Sequence, residues 1–337
     1  MKCRVCQAKA MIKIERHHTA FCPICFTDYV HKQVERAVAD ERMFTRSEEI
    51  LLAVSGGKDS LALWEILIKL GYKTAGLHVD LGIGDYSRTS RAKAERFAES
   101  RGAKLIVHDL PNELGAGIPQ IAEKTDRPPC SACGLVKRYS FNQIALEKGF
   151  SVVATGHNLD DEAARLLGNV LHWQEEYLDK QSPVLPAAHE KLVKKVKPLY
   201  RLAEREIAAY SIMNRIEYIV EECPNATGAK LLVYKDVLNR LEENAPGTKH
   251  NFYLTFLRRR SAGSAEFTEG FPTCQRCGQP TQAGGAARRK AANDSGESAL
   301  AGATASAPAA HPSSSQENGG ARSPLCGYCR LMERVHA

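Results

Sequence analysis

A chain of 337 residues, 43% hydrophobic and 25% charged, can bury a sizeable core and hold more than one folded unit. It has no run of 18 apolar residues, and its N-terminus leads into cysteines rather than an apolar leader, so membrane spanning and export are not expected and a cytoplasmic location is. The 46 Lys and Arg residues outnumber 39 Asp and Glu, and the resulting net charge of +7 suits a polyanionic partner without identifying one.

The chain carries eleven cysteines, and without an export signal they read as metal ligands or reactive thiols rather than disulfides. The first four, Cys3, Cys6, Cys22 and Cys25, have the C-x2-C-x15-C-x2-C spacing of a structural zinc ribbon. Four thiolates close a tetrahedral site, so the role is folding rather than chemistry. His17 and His18 lie between the pairs and read as surface residues. From residue 28 to 43, Tyr29, Val34 and Val38 recur with charges between them, which predicts an amphipathic helix joining the ribbon to the core.

Residues 50–54 form an apolar run that reads as a buried parallel strand, and Ser55, Gly56, Gly57, Lys58, Asp59 and Ser60 follow it before a helical pattern begins at Leu61. A strand, a glycine turn and a helix start aim backbone N–H groups and the positive helix end at one point, where a phosphate fits. The stretch is not a Walker A loop, because Asp59 separates Lys58 from Ser60. It resembles the pyrophosphate loop of ATP pyrophosphatases, which implies cleavage of ATP to AMP and pyrophosphate.

Further strands are predicted at 74–80, 104–109 and 151–155, with helices at 87–101 and 134–148 and another opened by the run from Gly156 to Glu162. Strands alternating with helices of this length define an α/β doubly wound parallel sheet. Ligands bind at the carboxyl ends of such strands, so the positions after Val54, Val79 and Thr155 should converge. Beyond Pro198 the pattern turns helical at 204–214, 229–243 and 254–260, with a short strand expected at 218–222.

Residues 281–322, dominated by Gly, Ala, Ser and Pro, read as a disordered insertion. It separates Cys274 and Cys277 from Cys326 and Cys329, the halves of a second ribbon. A loop about five times the usual length adds only about 1.4 kcal/mol of closure entropy, well below the ~10–16 kcal/mol that zinc supplies, so a second Zn2+ site is expected. The organisation is then a ribbon at 1–27, a linking helix at 28–45, a catalytic domain at 46–225, a helical extension at 226–270 and an interrupted ribbon at 271–337.

Three cysteines remain: Cys130 and Cys133 ahead of a helix, and Cys223 alone. Three thiolates can hold three irons of a [4Fe-4S] cluster and leave the fourth open to a sulfide. A dithiol resolved by Cys223, or a third zinc, satisfies the same spacing. Lys137 falls four residues after Cys133, on the same helix face.

Four motifs, together with both cysteine sets, resemble the tRNA 2-thiolation enzymes of the TtuA type, relatives of the archaeal and eukaryotic wobble-uridine thiolases. They are the run from His78 to Gly84, the segment from Pro129 to Gly134, the run from Ala154 to Ala163, and the segment from Glu221 to Ala226. The resemblance implies that Cys130, Cys133 and Cys223 bind an oxygen-sensitive [4Fe-4S] cluster with one free iron. It places ATP against Ala53, residues 55–60, Val79 and Gly156, puts Lys137 and Asp161 near the nucleotide and the reacting centre, and assigns two Zn2+ to the ribbons. Mg2+ on Asp59 or Asp161 is expected. The implied partners are tRNA and a ubiquitin-like sulfur carrier with a C-terminal thiocarboxylate, and the implied assembly is a homodimer. T-loop 5-methyluridine 54 is the favoured substrate, wobble uridine 34 the alternative, and a non-catalytic zinc-ribbon RNA-binding protein the rival of another class.

Overall fold

A computed structural model describes residues 1–226, 230–261, 272–281 and 325–336. Most of the expected insertion at 281–322 lies outside these described residues. The chain opens with a small antiparallel hairpin, β1 (Ile12–Ile14) and β2 (Thr19–Phe21), and then enters α1 (Pro23–Asp40). The helix starts earlier than the hydrophobic pattern suggested because Pro23 occupies its first position, where its fixed φ suits helix and its missing N–H costs nothing. Cys25 therefore already lies on the helix. His17 and His18 are exposed, as their sequence context suggested.

The central sheet has six strands in the order β5-β4-β3-β6-β8-β7. Its main members are β3 (Glu49–Ala53), β4 (Lys73–Asp80), β5 (Lys104–Asp109) and β6 (Val152–Thr155), all parallel. Two short strands extend it: β7 (Val184–Leu185), and β8 (Lys194–Val196), which pairs parallel with β6 and antiparallel with β7. The connecting helices are α2 (Lys58–Lys69), α3 (Gly84–Arg101), α4 (Leu110–Leu114), α5 (Ile118–Thr125), α6 (Pro129–Glu147), α7 (Leu159–Leu171) and α8 (Glu175–Lys180). After them come α9 (Glu204–Met213), α10 (Lys230–Asn244), α11 (Thr248–Ser261) and α12 (Gly327–His336). The doubly wound parallel architecture expected from the alternating pattern is present.

Strand periodicity decides how the two layers form. In β3, Ile50 and Leu52 point into one apolar layer with Trp64, Phe97 and the buried face of α1, while Leu51 points into the other with Leu77, Val136 and Val153. Both faces are covered, so the strand is apolar without interruption. Leu331, Met332 and Val335 of α12 join the second layer, and Tyr328 stacks on Tyr139 of α6 with ring centroids 3.5 Å apart. The C-terminal cysteine set is thereby fastened beside α6.

Two expectations are corrected. Residues 218–222 form no strand: the Ile219 N–H donates to the Gly56 carbonyl at 2.9 Å, so the segment braces the loop rather than pairing with a strand. Helix α6 begins at Pro129, not at residue 134, which puts Cys130 and Cys133 on its first turns. Among the described residues no helix is long and apolar enough to cross a membrane.

The turn after β3 tests the packing argument directly. Gly56 has φ +75°, and a Cβ there would lie 2.4 Å from the Ser90 carbonyl oxygen, whereas one at Gly57 (φ −83°) would meet only the Ser55 hydroxyl at 3.4 Å. Gly56→Ala is expected to lower unfolding stability by about 2 kcal/mol or more, combining left-handed strain with a backbone clash. Gly57→Ala should stay within about 1 kcal/mol of the parent. Denaturant unfolding of the two variants measures the difference.

Candidate active site

The loop leaving β3 is tied by its own serines. The Ser55 N–H donates to Ser60 Oγ at 3.1 Å, and Ser60 Oγ donates to the Gly57 carbonyl at 3.0 Å. No side chain caps the start of α2 at Gly57. Its first-turn N–H groups and the positive helix end therefore remain to be satisfied by an anion. Gly156, just past β6, packs so closely that a Cβ would lie 2.9 Å from the backbone of Asp59 and Ser60. The switch between neighbouring parallel strands thus meets the loop, the position where such sheets bind ligands.

A chain of charges surrounds the loop. Lys58 Nζ donates to Asp59 Oδ2 at 3.1 Å and to Glu204 Oε1 at 2.6 Å, and Lys235 Nζ bridges Asp161 Oδ1 at 2.6 Å and Glu204 Oε2 at 3.1 Å. Asp59 Oδ1 accepts from Asn158 Nδ2 at 3.1 Å. Asn158 in turn caps α7 through a reciprocal box with Asp161. Burial alone would raise the Glu204 carboxyl, but Lys58 and Lys235 hold it at about 2. Burial prevails at Asp59, lifting its pKa above the ordinary value although Lys58 pulls it down.

A cavity of about 330 Å3 opens at the strand ends. Of the residues singled out from sequence, Ala53, Ser55, Asp59, Ser60, Val79, Cys133, Lys137, Gly156 and Cys223 line it. Gly56, Gly57 and Lys58 belong to the adjoining loop, and Asp161 lies behind it in the ion-pair chain. Cys130 is exposed, and its Sγ donates to the Asn225 carbonyl at 3.0 Å. Burial raises the Cys133 thiol above its ordinary value, opposed by Lys137. A larger cavity of about 520 Å3 opens between the N-terminal hairpin, α9 and α10 but contains none of these residues.

The two terminal cysteine sets differ in kind from the central three. Within each set every Sγ lies within 4.8 Å of the others, and Cys6 and Cys22 approach to 3.5 Å, Cys277 and Cys326 to 3.7 Å. Four sulfurs at about 2.3 Å from one ion stand ~3.8 Å apart, so both sets fit a single tetrahedral zinc. Among the described residues only these two groups are drawn together so closely. Cys130, Cys133 and Cys223 are not drawn together in this way: Cys133 and Cys223 line the cavity and Cys130 is exposed, a wider donor set that fits the separate irons of a cluster better than one ion.

Sequence reasoning did not single out Asn158, Glu204, Lys235, Tyr86 or His78 as site residues. Asn158 carried a local signal, as a cap three residues before Asp161. Glu204 and Lys235 come from elements 146 and 177 residues away from Lys58, and no local pattern marks them.

The chain is similar to known proteins. The PP-loop domain family matches residues 27–228, and the N-terminal LIM domain of the 2-thiouridine synthetase TtuA matches residues 2–27. The chain is 49% identical over 282 residues to the tRNA-5-methyluridine(54) 2-sulfurtransferase of Thermus thermophilus, covering 83% of this chain and 88% of that protein. It is 46% identical to the protein of the same name from Pyrococcus horikoshii, covering 83% of this chain and 90% of that one. The U34-tRNA thiolase NcsA of Methanococcus maripaludis, solved with its [4Fe-4S] cluster, superposes with a TM-score of 0.73 at 26% identity, over 83% of this chain and 92% of that chain. The phosphate loop at the sheet switch, the cysteine sets at both ends and these matches lead to one conclusion: the chain belongs to the tRNA-5-methyluridine(54) 2-sulfurtransferase family of PP-loop enzymes.

Proposed function

We propose that the protein converts 5-methyluridine 54 of tRNA to its 2-thio form, using ATP to make the C2 oxygen a leaving group. The observation that carries this reading is the convergence of the phosphate loop and two of the three central cysteines on one cavity. Position 54 is preferred to wobble uridine because the relatives named for position 54 are 49% and 46% identical, whereas the wobble-uridine thiolase structure is 26% identical.

ATP enters with its phosphates on the amides of residues 55–60 and its nucleoside against Ala53, Val79 and Gly156. The uridine C2 oxygen attacks the α-phosphorus and pyrophosphate departs, leaving an adenylated base. Lys58 and the loop amides stabilise the charge gathering on the phosphates, and Asp59 or Asp161 would hold the Mg2+ that neutralises it. When bound to Cys130, Cys133 and Cys223, a [4Fe-4S] cluster would supply sulfide at the iron that has no protein ligand. Sulfide adds to C2, AMP leaves with the original oxygen, and Lys137, beside Cys133, provides positive charge where the anionic sulfur arrives. Two Zn2+ in the terminal sets would be structural. A ubiquitin-like carrier thiocarboxylate fits as the sulfur source, and a homodimer fits the family resemblance.

Glu204 keeps Lys58 ordered before the triphosphate arrives. Its depressed folded pKa gives a defined sign: the stabilisation is complete above about 4.5, the unperturbed value, and is lost as pH falls towards about 2. Glu204→Gln is therefore expected to flatten the dependence of unfolding stability on pH across that window, measured by chemical denaturation at stepped pH.

Anaerobically reconstituted protein is expected to form AMP from ATP in the presence of tRNA and sulfide, with the mass gain at nucleotide 54 seen after nuclease digestion; ADP as product would refute the mechanism. Lys58→Ala should lower kcat/KM for ATP about 10²–10³-fold. Cys223→Ala should lose iron and thiolation while keeping its zinc, and metal analysis that found full iron would overturn the three-ligand assignment.

A further inference from the structure

His78 lies on β4 at the edge of the cavity and is only 2% exposed. Its Nδ1 is 2.9 Å from the Val54 carbonyl oxygen. A carbonyl only accepts, so Nδ1 must carry the proton, and in the neutral ring Nε2 is then left as a bare acceptor. Burial favours that neutral form by pulling the pKa below the ordinary histidine value. Nε2 is buried and has no hydrogen-bond partner.

The neighbouring hydroxyls do not supply one. Ser90 Oγ donates to the Ser87 carbonyl at 3.1 Å, and Ser87 Oγ, which accepts from the Ile83 N–H at 2.9 Å, makes no hydrogen bond to Nε2. A buried acceptor without a donor is costly. One that borders a ligand cavity calls for a partner, and a donor arriving with the ligand can be that partner.

Accepting chemistry also sets direction. Apart from any protonated phosphate, ATP offers donors only at its nucleoside end, in the two ribose hydroxyls and the exocyclic amine. A lone pair facing phosphate oxygens would repel them. Val54, whose carbonyl fixes the imidazole, immediately precedes Ser55, the first residue of the phosphate loop. The loop and the histidine thus form adjacent, opposite-polarity contacts for the two ends of one nucleotide.

We infer that His78 is a positioning and specificity residue that accepts a hydrogen bond through Nε2 from a nucleoside donor, a ribose hydroxyl or the adenine amine, and so fixes which end of ATP faces the β4 edge. The inference rests on the ATP reading of the loop. It adds a side-chain contact to the nucleoside residues Ala53, Val79 and Gly156.

The test is calorimetric binding of ATP, 2′-deoxy-ATP, 3′-deoxy-ATP and purine riboside triphosphate to the full-length zinc-loaded protein, without tRNA. One of the three analogues is expected to bind about 5–100-fold more weakly than ATP to the wild type, because it leaves a buried acceptor unpaired. Which analogue suffers identifies the donor. In His78→Phe that ratio should fall to near one while the other two ratios persist, and His78→Gln, which retains an acceptor, should restore part of it. A merely structural histidine would change all affinities together and leave the ratios intact, and that result would overturn the inference. So would equal binding of all analogues to the wild type, which decides the matter even if His78→Phe does not fold. Absence of any triphosphate binding to the wild type would instead refute the ATP reading itself. Nitrogen-15 imidazole spectra give an independent readout: the His78 Nε2 resonance should move on addition of ATP and not on addition of inorganic triphosphate.

Discussion

The backbone turn from Val54 to Lys58 is the constraint on which the site depends. It is held from three sides: Gly56 lies under the Ser90 carbonyl of α3, Gly156 presses on Asp59 and Ser60, and Ile219 donates to the Gly56 carbonyl. The three contacts come from separate segments of the chain: α3, the turn after β6 and the stretch after α9. The loop amides can therefore keep one orientation without a bound anion, which is the preorganisation that charge-stabilising catalysis needs. The approaches are backbone to backbone, so side-chain repacking cannot relieve an added methyl group.

Around this turn the protein assembles ionised groups in alternating sign, from Asp59 through Lys58, Glu204 and Lys235 to Asp161. No member is left with only like-charged neighbours. The arrangement spares each half-buried charge the cost of desolvation without a partner. It also keeps Lys58 near the place where phosphate oxygens would lie, already extended and already partly dehydrated. Binding a triphosphate then exchanges one anionic partner for another, rather than drawing a mobile lysine out of water.

The cysteines divide according to the geometry they need. The terminal sets are compact, each with its four Sγ atoms within 4.8 Å of one another, and α12 joins the second of these to the catalytic layer through Leu331, Met332, Val335 and the stacked Tyr328. Cys133, on the first turns of α6, and Cys223, in the segment after α9, line the cavity, while Cys130 is exposed and donates to the Asn225 carbonyl. Burial raises the Cys133 thiol above its ordinary value, and the neighbouring Lys137 opposes it.

Local spacing determined much of this protein. The alternation of apolar runs and helical stretches specified the parallel sheet, since strands buried on both faces need no polar alternation, and the C-x2-C pairs specified the two compact cysteine sets. The glycine turn specified the phosphate loop, because a loop that approaches an anion must shed its side chains. Tertiary structure decided what spacing cannot carry. Glu204 reaches Lys58, and Lys235 reaches Glu204 and Asp161, only through the packing of α9 against α2 and of α10 against α7, residues 218–222 gave up a predicted strand to brace the loop, and α6 began early enough to carry Cys130 and Cys133. The tautomer of His78 belongs to the same class, because it follows from a carbonyl on the neighbouring strand end. Sequence periodicity records which face is buried; which charged or accepting atoms meet across that face depends on crossovers that join residues more than a hundred positions apart.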